Sequence, residues 1–419
     1  MIPDATLSKE ATRRRARSKR RLLMIGHSYV VGVNRMLPNE IARLAAEDWE
    51  VTIAVPTFFQ GDLGPIQAHR EPRDVARLEF IPARMTRQPH TFVYGRGLGR
   101  LLREPWDLIH AWEEPYVFAG GQIALWAPRE VPLVFWTGQS TQKQFPPPFS
   151  WIESYCLQRC AAWASRGETG RETLMAKGYG CRPGRTLPLG VDTAAFRPDV
   201  AMRSETFQGL DWHAGGPPVI GYAGRFVPEK GLPLLMRVLD RVEGDWRALL
   251  IGGGPLESEL RAWASRYGDR VKIVTGVPHD RVPAYLNAMD LVCAPSQTSS
   301  HWREIFGRML VEAFACGLPV VASDSGEIPN VVGDAAIVVG EKDEVAWVRA
   351  VSALIEDADT RHALGRKALL RARGTFAWSS VAQRHLAFFD DILGRRLSVT
   401  ADGPMGFVDV PRLSHRADA

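Results

Sequence analysis

The chain has 419 residues, 45% apolar and 24% charged, which excludes a disordered polymer and exceeds one ordinary domain, so two globular domains are expected. The formal net charge is +5, a mild excess that is unevenly spread. Five cysteines without a Cys-x-x-Cys pair exclude a disulfide framework and a zinc site and fit a reducing cytoplasm.

The run "RRRARSKRR", Arg13 to Arg21, holds seven cations in nine positions. It reads either as a solvated flexible arm over residues 1–20 or as an arm that meets anionic lipid or another polyanion. "RLLMIGH" follows as a first strand rather than a signal peptide, because His27 interrupts the apolar run and no small-x-small cleavage site follows. "NRMLPNEIARLAAED" predicts a helix and "WEVTIAVP" a strand, and "WDLIHAW", "QIALWAP" and "PLVFWTG" read as further strands. Apolar runs bounded by Gly and Pro suit parallel strands buried on both faces. "WIESYCLQRCAAWASRG" predicts a helix, with Cys156 and Cys160 on one face of it. "RTLPLGVDTAAFRPDV" reads as a strand and a linker.

The pattern then restarts. "PPVIGYAG", "WRALLIGGGP", "VKIVTGV" and "DLVCAPS" predict strands, and "GLPLLMRVLDRV", "LESELRAWASRYG" and "DRVPAYLNAM" predict helices. A last helix is expected in "FAWSSVAQRHLAFFDDILGRR", before a polar tail. Strand–helix alternation gives an α/β protein of two tandem doubly wound units: an N-terminal domain over 21–200, a second over 201–375, and a segment over 376–419 whose helix returns to the first domain. No run reaches eighteen apolar residues, so no membrane span is expected. Ligands of such sheets bind at the carboxyl edges of the strands, here in the cleft between the units.

Three stretches carry chemistry. Gly224, Arg225, Lys230 and Gly231 put two cations at a glycine turn before a helix, which suits a diphosphate; the plainer reading is a pair of surface cations. "IGGGP", with Gly253, permits close backbone approach or is simply a tight turn, and it is no dinucleotide fingerprint. In "WREIFGRMLVEAFACGLPVVASDSGEIP" a helix beginning near Gly307 leaves Glu304 in the preceding loop and sets Glu312 two turns into the helix. Carboxylates accept hydrogen bonds in pairs, so each glutamate could hold vicinal hydroxyls of a sugar or ribose. Alternatively Glu304 is solvated and Glu312 pairs with Arg308.

The order of these stretches, together with "LPLGVDTAAFRP", resembles the family 4 glycosyltransferases of the GT-B fold, most strongly from Leu187 to Val339. The resemblance implies a retaining, metal-independent transfer of a hexose from a UDP- or GDP-sugar, with the nucleotide sugar as substrate and no cofactor. It implies Arg225 and Lys230 on the donor diphosphate, Glu312 on the ribose and Glu304 on the sugar. Backbone near Gly276 and Val277 would frame the base, and Ile305, Phe306 and Gly307 would complete the donor site. The family often places a histidine where Trp136 stands here, so Thr137 or Gln139 could substitute. His27, Ser28, Gly32 and Asn34 in the first loop, and His110, are further candidates; each histidine is as readily structural as catalytic. The expected partners are the nucleotide-sugar donor, a carbohydrate or lipid-linked acceptor and, through the arm, an anionic membrane face, with no nucleic acid. Two alternatives remain open, a nucleotide-sugar epimerase on the same fold and a catalytically silent nucleotide-sugar binder.

Overall fold

The computed structural model describes residues 19–398 apart from 62, 63, 142 and 214. The basic run from Arg13 to Ser18 and the polar tail beyond 398 lie outside the described residues.

The first domain is built on parallel strands β1 (Arg20–Ile25), β2 (Trp49–Pro56), β5 (Arg77–Ile81), β8 (Leu108–Ala111), β9 (Leu133–Thr137), β10 (Ala162–Ser165) and β11 (Gly184–Thr186), joined in the order β11-β10-β9-β8-β1-β2-β5. Two small hairpins, β3 (Phe58–Gly61) with β4 (Gly64–Gln67) and β6 (Ala83–Arg84) with β7 (Val93–Tyr94), decorate it. Helices α1 (Met36–Leu44), α2 (Arg96–Leu101), α3 (Phe118–Trp126), α4 (Phe149–Arg159) and α5 (Glu168–Ala176) cross between strands. Strand order reverses between β1 and β8, so the loops after these two strands open the crevice where such sheets take ligands.

The linker and α6 (Val200–Gly209) lead to the second sheet, ordered β14-β13-β12-β15-β16-β17. Its elements in chain order are β12 (Val219–Arg225), α7 (Leu232–Arg241), β13 (Arg247–Gly253), α8 (Glu257–Ala264), β14 (Val271–Thr275), α9 (Val282–Asn287), β15 (Leu291–Ala294), α10 (Arg308–Ala315), β16 (Val320–Ser323), α11 (Ile328–Val332), β17 (Ile337–Val339), α12 (Glu344–Glu356) and α13 (Ala358–Arg371). Here the order reverses between β12 and β15. The final helix α14 (Trp378–Ser398) packs Phe389 against Trp49 of the first domain, with ring centroids 6.3 Å apart. The two connecting segments meet at a parallel bridge between Val191 and Ala377.

Three expectations are corrected. "QIALWAP" belongs to helix α3, not a strand: the connection from β8 to its parallel neighbour β9 needs a crossover, and a short apolar run fits either element. "AAWAS" leaves the predicted helix at Cys160 and forms β10, where Ala162, Trp163, Ala164 and Ser165 are all buried. Arg20 and Arg21 are not part of a loose arm. They open β1, where Arg20 pairs with Asp390 and Arg21 pairs with Glu104 at 2.7 Å and lies over the Trp106 ring.

Candidate active site

At the reversal point of the second sheet lies a cavity of about 510 Å³. Gly224, Arg225 and Lys230 line one side, Val277 and His279 another, and Glu304, Gly307, Arg308 and Glu312 a third. The turn after β12 is shaped by Gly231 at φ 75°, where a Cβ would fall 1.7 Å from the Pro295 carbonyl oxygen. A side chain there would push the cation-bearing loop off the end of β15. Gly307 at φ 77° starts α10, and a Cβ there would press on Leu310. That turn separates the two glutamates as the sequence predicted, with Glu304 in the loop and Glu312 in the helix.

Lys230 Nζ donates to Glu304 Oε2, which also accepts from Ser296 Oγ at 3.0 Å. The Lys230 ammonium lies 5.1 Å from the centroid of the Trp302 ring. Glu312 Oε1 lies 3.0 Å from His279 Nε2. Arg308, weighed above as a partner of Glu312, instead donates to Asn34 Oδ1 across the cleft at 2.9 Å. Gly252 rather than Gly253 lines the cavity. Ile305 and Phe306 are outside its lining; Phe306 is buried against Phe376.

The reversal point of the first sheet holds a second cluster. Glu113, 1% exposed, accepts from the His27 backbone N–H at 2.6 Å and the Tyr94 hydroxyl at 2.7 Å, and its other oxygen lies 2.6 Å from His27 Nδ1. Burial opposes charge on His27, but Glu113 and Glu114 outweigh it and raise the pKa above its ordinary value. The His27 side chain stays 30% exposed and packs on Phe59 and Phe92. Asn34 Nδ2 donates to the Ser28 carbonyl at 2.8 Å, which folds the first loop on itself. Gly32 is buried where a Cβ would collide with Glu71.

The neighbouring Glu114 accepts from Thr137 Oγ1, from the Gly138 N–H at 2.8 Å and from Arg166 at 3.4 Å. Burial lowers the Arg166 pKa, Glu114 works against this, and Arg308 adds to the lowering across the cleft. Thr137 is fully buried, so its hydroxyl serves Glu114. Gln139 is buried and joins Glu153 and Lys177.

Trp136 and His110 do not reach the cleft. Trp136 is fully buried, donates to the Leu187 carbonyl at 2.9 Å and packs on Trp112 and His385. His110 is fully buried against Trp136, His385 and Phe389, and burial pushes its pKa well below the usual range, which keeps the ring neutral. Both face the side of the sheet covered by α14.

Glu113, Glu114, Arg166, Ser296 and His279 were not expected. The acid pair in "AWEEP", directly after a strand, was the available signal for the first two. Among the described residues, no group of three or more His, Cys, Asp or Glu is placed to hold a metal ion.

The two sheets with their facing reversal points define a GT-B protein. Its structural neighbours include the HepE protein of Anabaena in complex with UDP, with a TM-score of 0.68 at 18% identity over 89% of this chain and 100% of that one. A glycosyltransferase from Rickettsia africae gives a TM-score of 0.71 at 14% identity, covering 90% of this chain and 99% of that one. Residues 211–371 match the family model described as Glycosyl transferases group 1, so the second domain carries that signature. One relative is the GDP-mannose-dependent alpha-(1-6)-phosphatidylinositol monomannoside mannosyltransferase of Mycolicibacterium smegmatis, 34% identical over 188 residues, 43% of this chain and 49% of that protein. The D-inositol 3-phosphate glycosyltransferase of Nocardia farcinica is 32% identical over 211 residues, 47% of this chain and 45% of that protein. The chain spans about half the length of the curated relatives it matches.

Proposed function

We propose that the protein is a retaining, metal-independent glycosyltransferase that moves a hexose from a nucleoside diphosphate sugar to a carbohydrate or lipid-linked acceptor. The observation that carries the reading is the cavity at the β12–β15 reversal, lined by three cations, Arg225, Lys230 and Arg308, by two carboxylates and by the start of α10. In this reading Arg225 and Lys230 bind the diphosphate, and with the positive end of α10 they stabilise charge developing on the leaving group. Glu312 holds the ribose hydroxyls, and backbone near Val277 frames the base. Glu304 receives Lys230 and Ser296 on one oxygen and turns the other to the donor sugar.

His27, fixed by Glu113, stands on the acceptor side, and Thr137 acts only by orienting Glu114. Retention then follows from same-face attack while the diphosphate is still in place. The names of the relatives, which include transfer to phosphatidylinositol mannosides, support a lipid-linked acceptor, and the basic run from Arg13 supports contact with an anionic membrane face. No described helix is long and apolar enough to cross a membrane.

A thermal-shift screen over nucleoside diphosphates and their sugars tests the donor, because a ligand of the native state alone raises the melting temperature. NMR of the product anomer tests retention. Inverted product removes the same-face mechanism, and lack of stabilisation by any nucleotide removes the whole reading.

A further inference from the structure

The first domain carries a groove that the donor reading does not use. It has a volume of about 1030 Å³ and lies between α3, α4 and the β7–α2 segment. That is at the upper limit of ordinary small-ligand sites, roughly 300–1,000 Å³.

Helix α3, "FAGGQIALW", carries no charge. A helix of that composition belongs inside a protein, yet Leu125 is 65% exposed and Trp126 39% exposed at the groove. Across from them, Trp151 of α4 is 69% exposed. Exposed apolar surface gathered at one concave site marks a binding surface, and tryptophan at its rim suits the boundary between hydrocarbon and water. The lining includes two exposed arginines, Arg84 and Arg96, and no carboxylate. The groove therefore combines an apolar trough with cationic edges.

It also shares a residue with the His27 cluster. Tyr94 lines the groove and its hydroxyl bonds Glu113, which holds His27. Helices α3 and α4 both follow strands of the first sheet, so both start at its carboxyl edge, where the cleft lies. The nine residues of α3 carry the groove about 13 Å away from that edge.

We propose that this groove binds the hydrocarbon chain of an anionic lipid whose headgroup is thereby presented to His27; this rests on the glycosyl-transfer reading. The apolar trough takes the chain, Arg84 and Arg96 face the phosphate at the water boundary, and the Tyr94–Glu113–His27 line leads inward.

The test titrates the full chain by calorimetry with dioctanoyl phosphatidic acid below its micelle-forming concentration. Glycerol 3-phosphate serves as the headgroup without chains, and dioctanoyl phosphatidylcholine as the zwitterionic carrier. Phosphatidic acid is expected to bind at least about tenfold more tightly than glycerol 3-phosphate, because only it brings apolar surface. Leu125→Asp and Trp151→Asp, at exposed positions outside the catalytic machinery, should remove most of that gain and leave nucleoside diphosphate stabilisation unchanged. Arg84→Ser with Arg96→Ser should bring phosphatidic acid down to the phosphatidylcholine level.

Equal binding of phosphatidic acid and glycerol 3-phosphate overturns the proposal, as does a chain-dependent gain that survives both aspartates. A concentration-dependent dimer that Trp151→Asp dissociates would identify a second copy as the occupant and also overturn it. Loss of nucleotide-sugar binding with the chain-dependent gain intact removes glycosyl transfer and leaves the groove; the reverse result removes the groove alone.

Discussion

Lys230→Ala should damage diphosphate binding twice. The substitution removes a cation from the proposed phosphate site, and it unmasks Glu304, whose carboxylate Lys230 holds. A charge-assisted hydrogen bond contributes about 1.5–3 kcal/mol, or about 10- to 150-fold in Kd. The uncovered carboxylate then repels the incoming diphosphate, so the loss should fall toward the upper part of that range. The pair's side chains are 21% and 10% exposed. Its worth to folding should therefore lie between that of a surface pair and a buried one, about 1–2 kcal/mol, read as a melting temperature lowered by a few degrees.

The assay is calorimetric titration with a nucleoside diphosphate and with the bare nucleoside, which lacks the phosphates and should bind unchanged. Adding Glu304→Gln to Lys230→Ala neutralises the uncovered carboxylate and should restore part of the diphosphate affinity. Equal losses for the two ligands would show that Lys230 does not meet phosphate. A double variant no better than Lys230→Ala would refute the argument about Glu304.

Glu312→Ala should weaken binding of the bare nucleotide about tenfold, whereas Glu304→Ala should spare it and slow sugar transfer; normal binding and transfer in both variants would remove the two carboxylates from the site. Burial works against charge on His27, but Glu113 and Glu114 raise its pKa, so the protonated pair adds stability that is full below about pH 6.5 and lost as pH rises through the higher folded value. The stability gap between wild type and His27→Gln should therefore narrow as pH rises above about 6.5 in urea unfolding, and a constant gap would contradict the ion pair. For the arm, the full chain should sediment with anionic vesicles at low salt and be released at high salt. Neutralising Arg13, Arg14, Arg15, Arg17 and Lys19 should abolish this, at roughly 1 kcal/mol per cation near the surface; equal partitioning of the neutralised protein would leave the run a solvated arm.

Glycine punctuation made the donor side readable. Gly231 and Gly307 stop a strand or loop and start a helix, so the positions of Lys230, Glu304 and Glu312 relative to those helices followed from the sequence. The first domain was harder because its strands are buried on both faces and show no alternation. Nothing in "LIHA" or "LVFWT" says which side chains turn toward α14, so His110 stood as a site candidate and Trp136 only marked the position where the family often has histidine. "QIALW" and "AAWAS" failed for a related reason, since short apolar runs carry no period that separates strand from helix. The pairings of Glu113 with His27 and of Arg308 with Asn34 join segments 86 and 274 residues apart; only the topology brings them together.

That topology also explains how two separately folded sheets hold one site. Glu327, 3% exposed in the second domain, accepts from the backbone N–H groups of Glu168 and Thr169 at 2.8 Å each. A carboxylate at the positive end of α5 is favoured by the helix dipole and satisfies donors that the helix itself leaves unpaired. Gly167 permits the approach, because a Cβ there would fall 2.2 Å from the Glu327 carboxyl carbon. From the same domain, Arg308 lines the cavity at the β12–β15 reversal and donates across the cleft to Asn34 of the loop that bears His27. One side chain thus both borders that cavity and bonds the first loop, which Glu113 holds from within its own domain. The cavity at the β12–β15 reversal and the loop that bears His27 therefore meet at Arg308, whose place the topology alone sets.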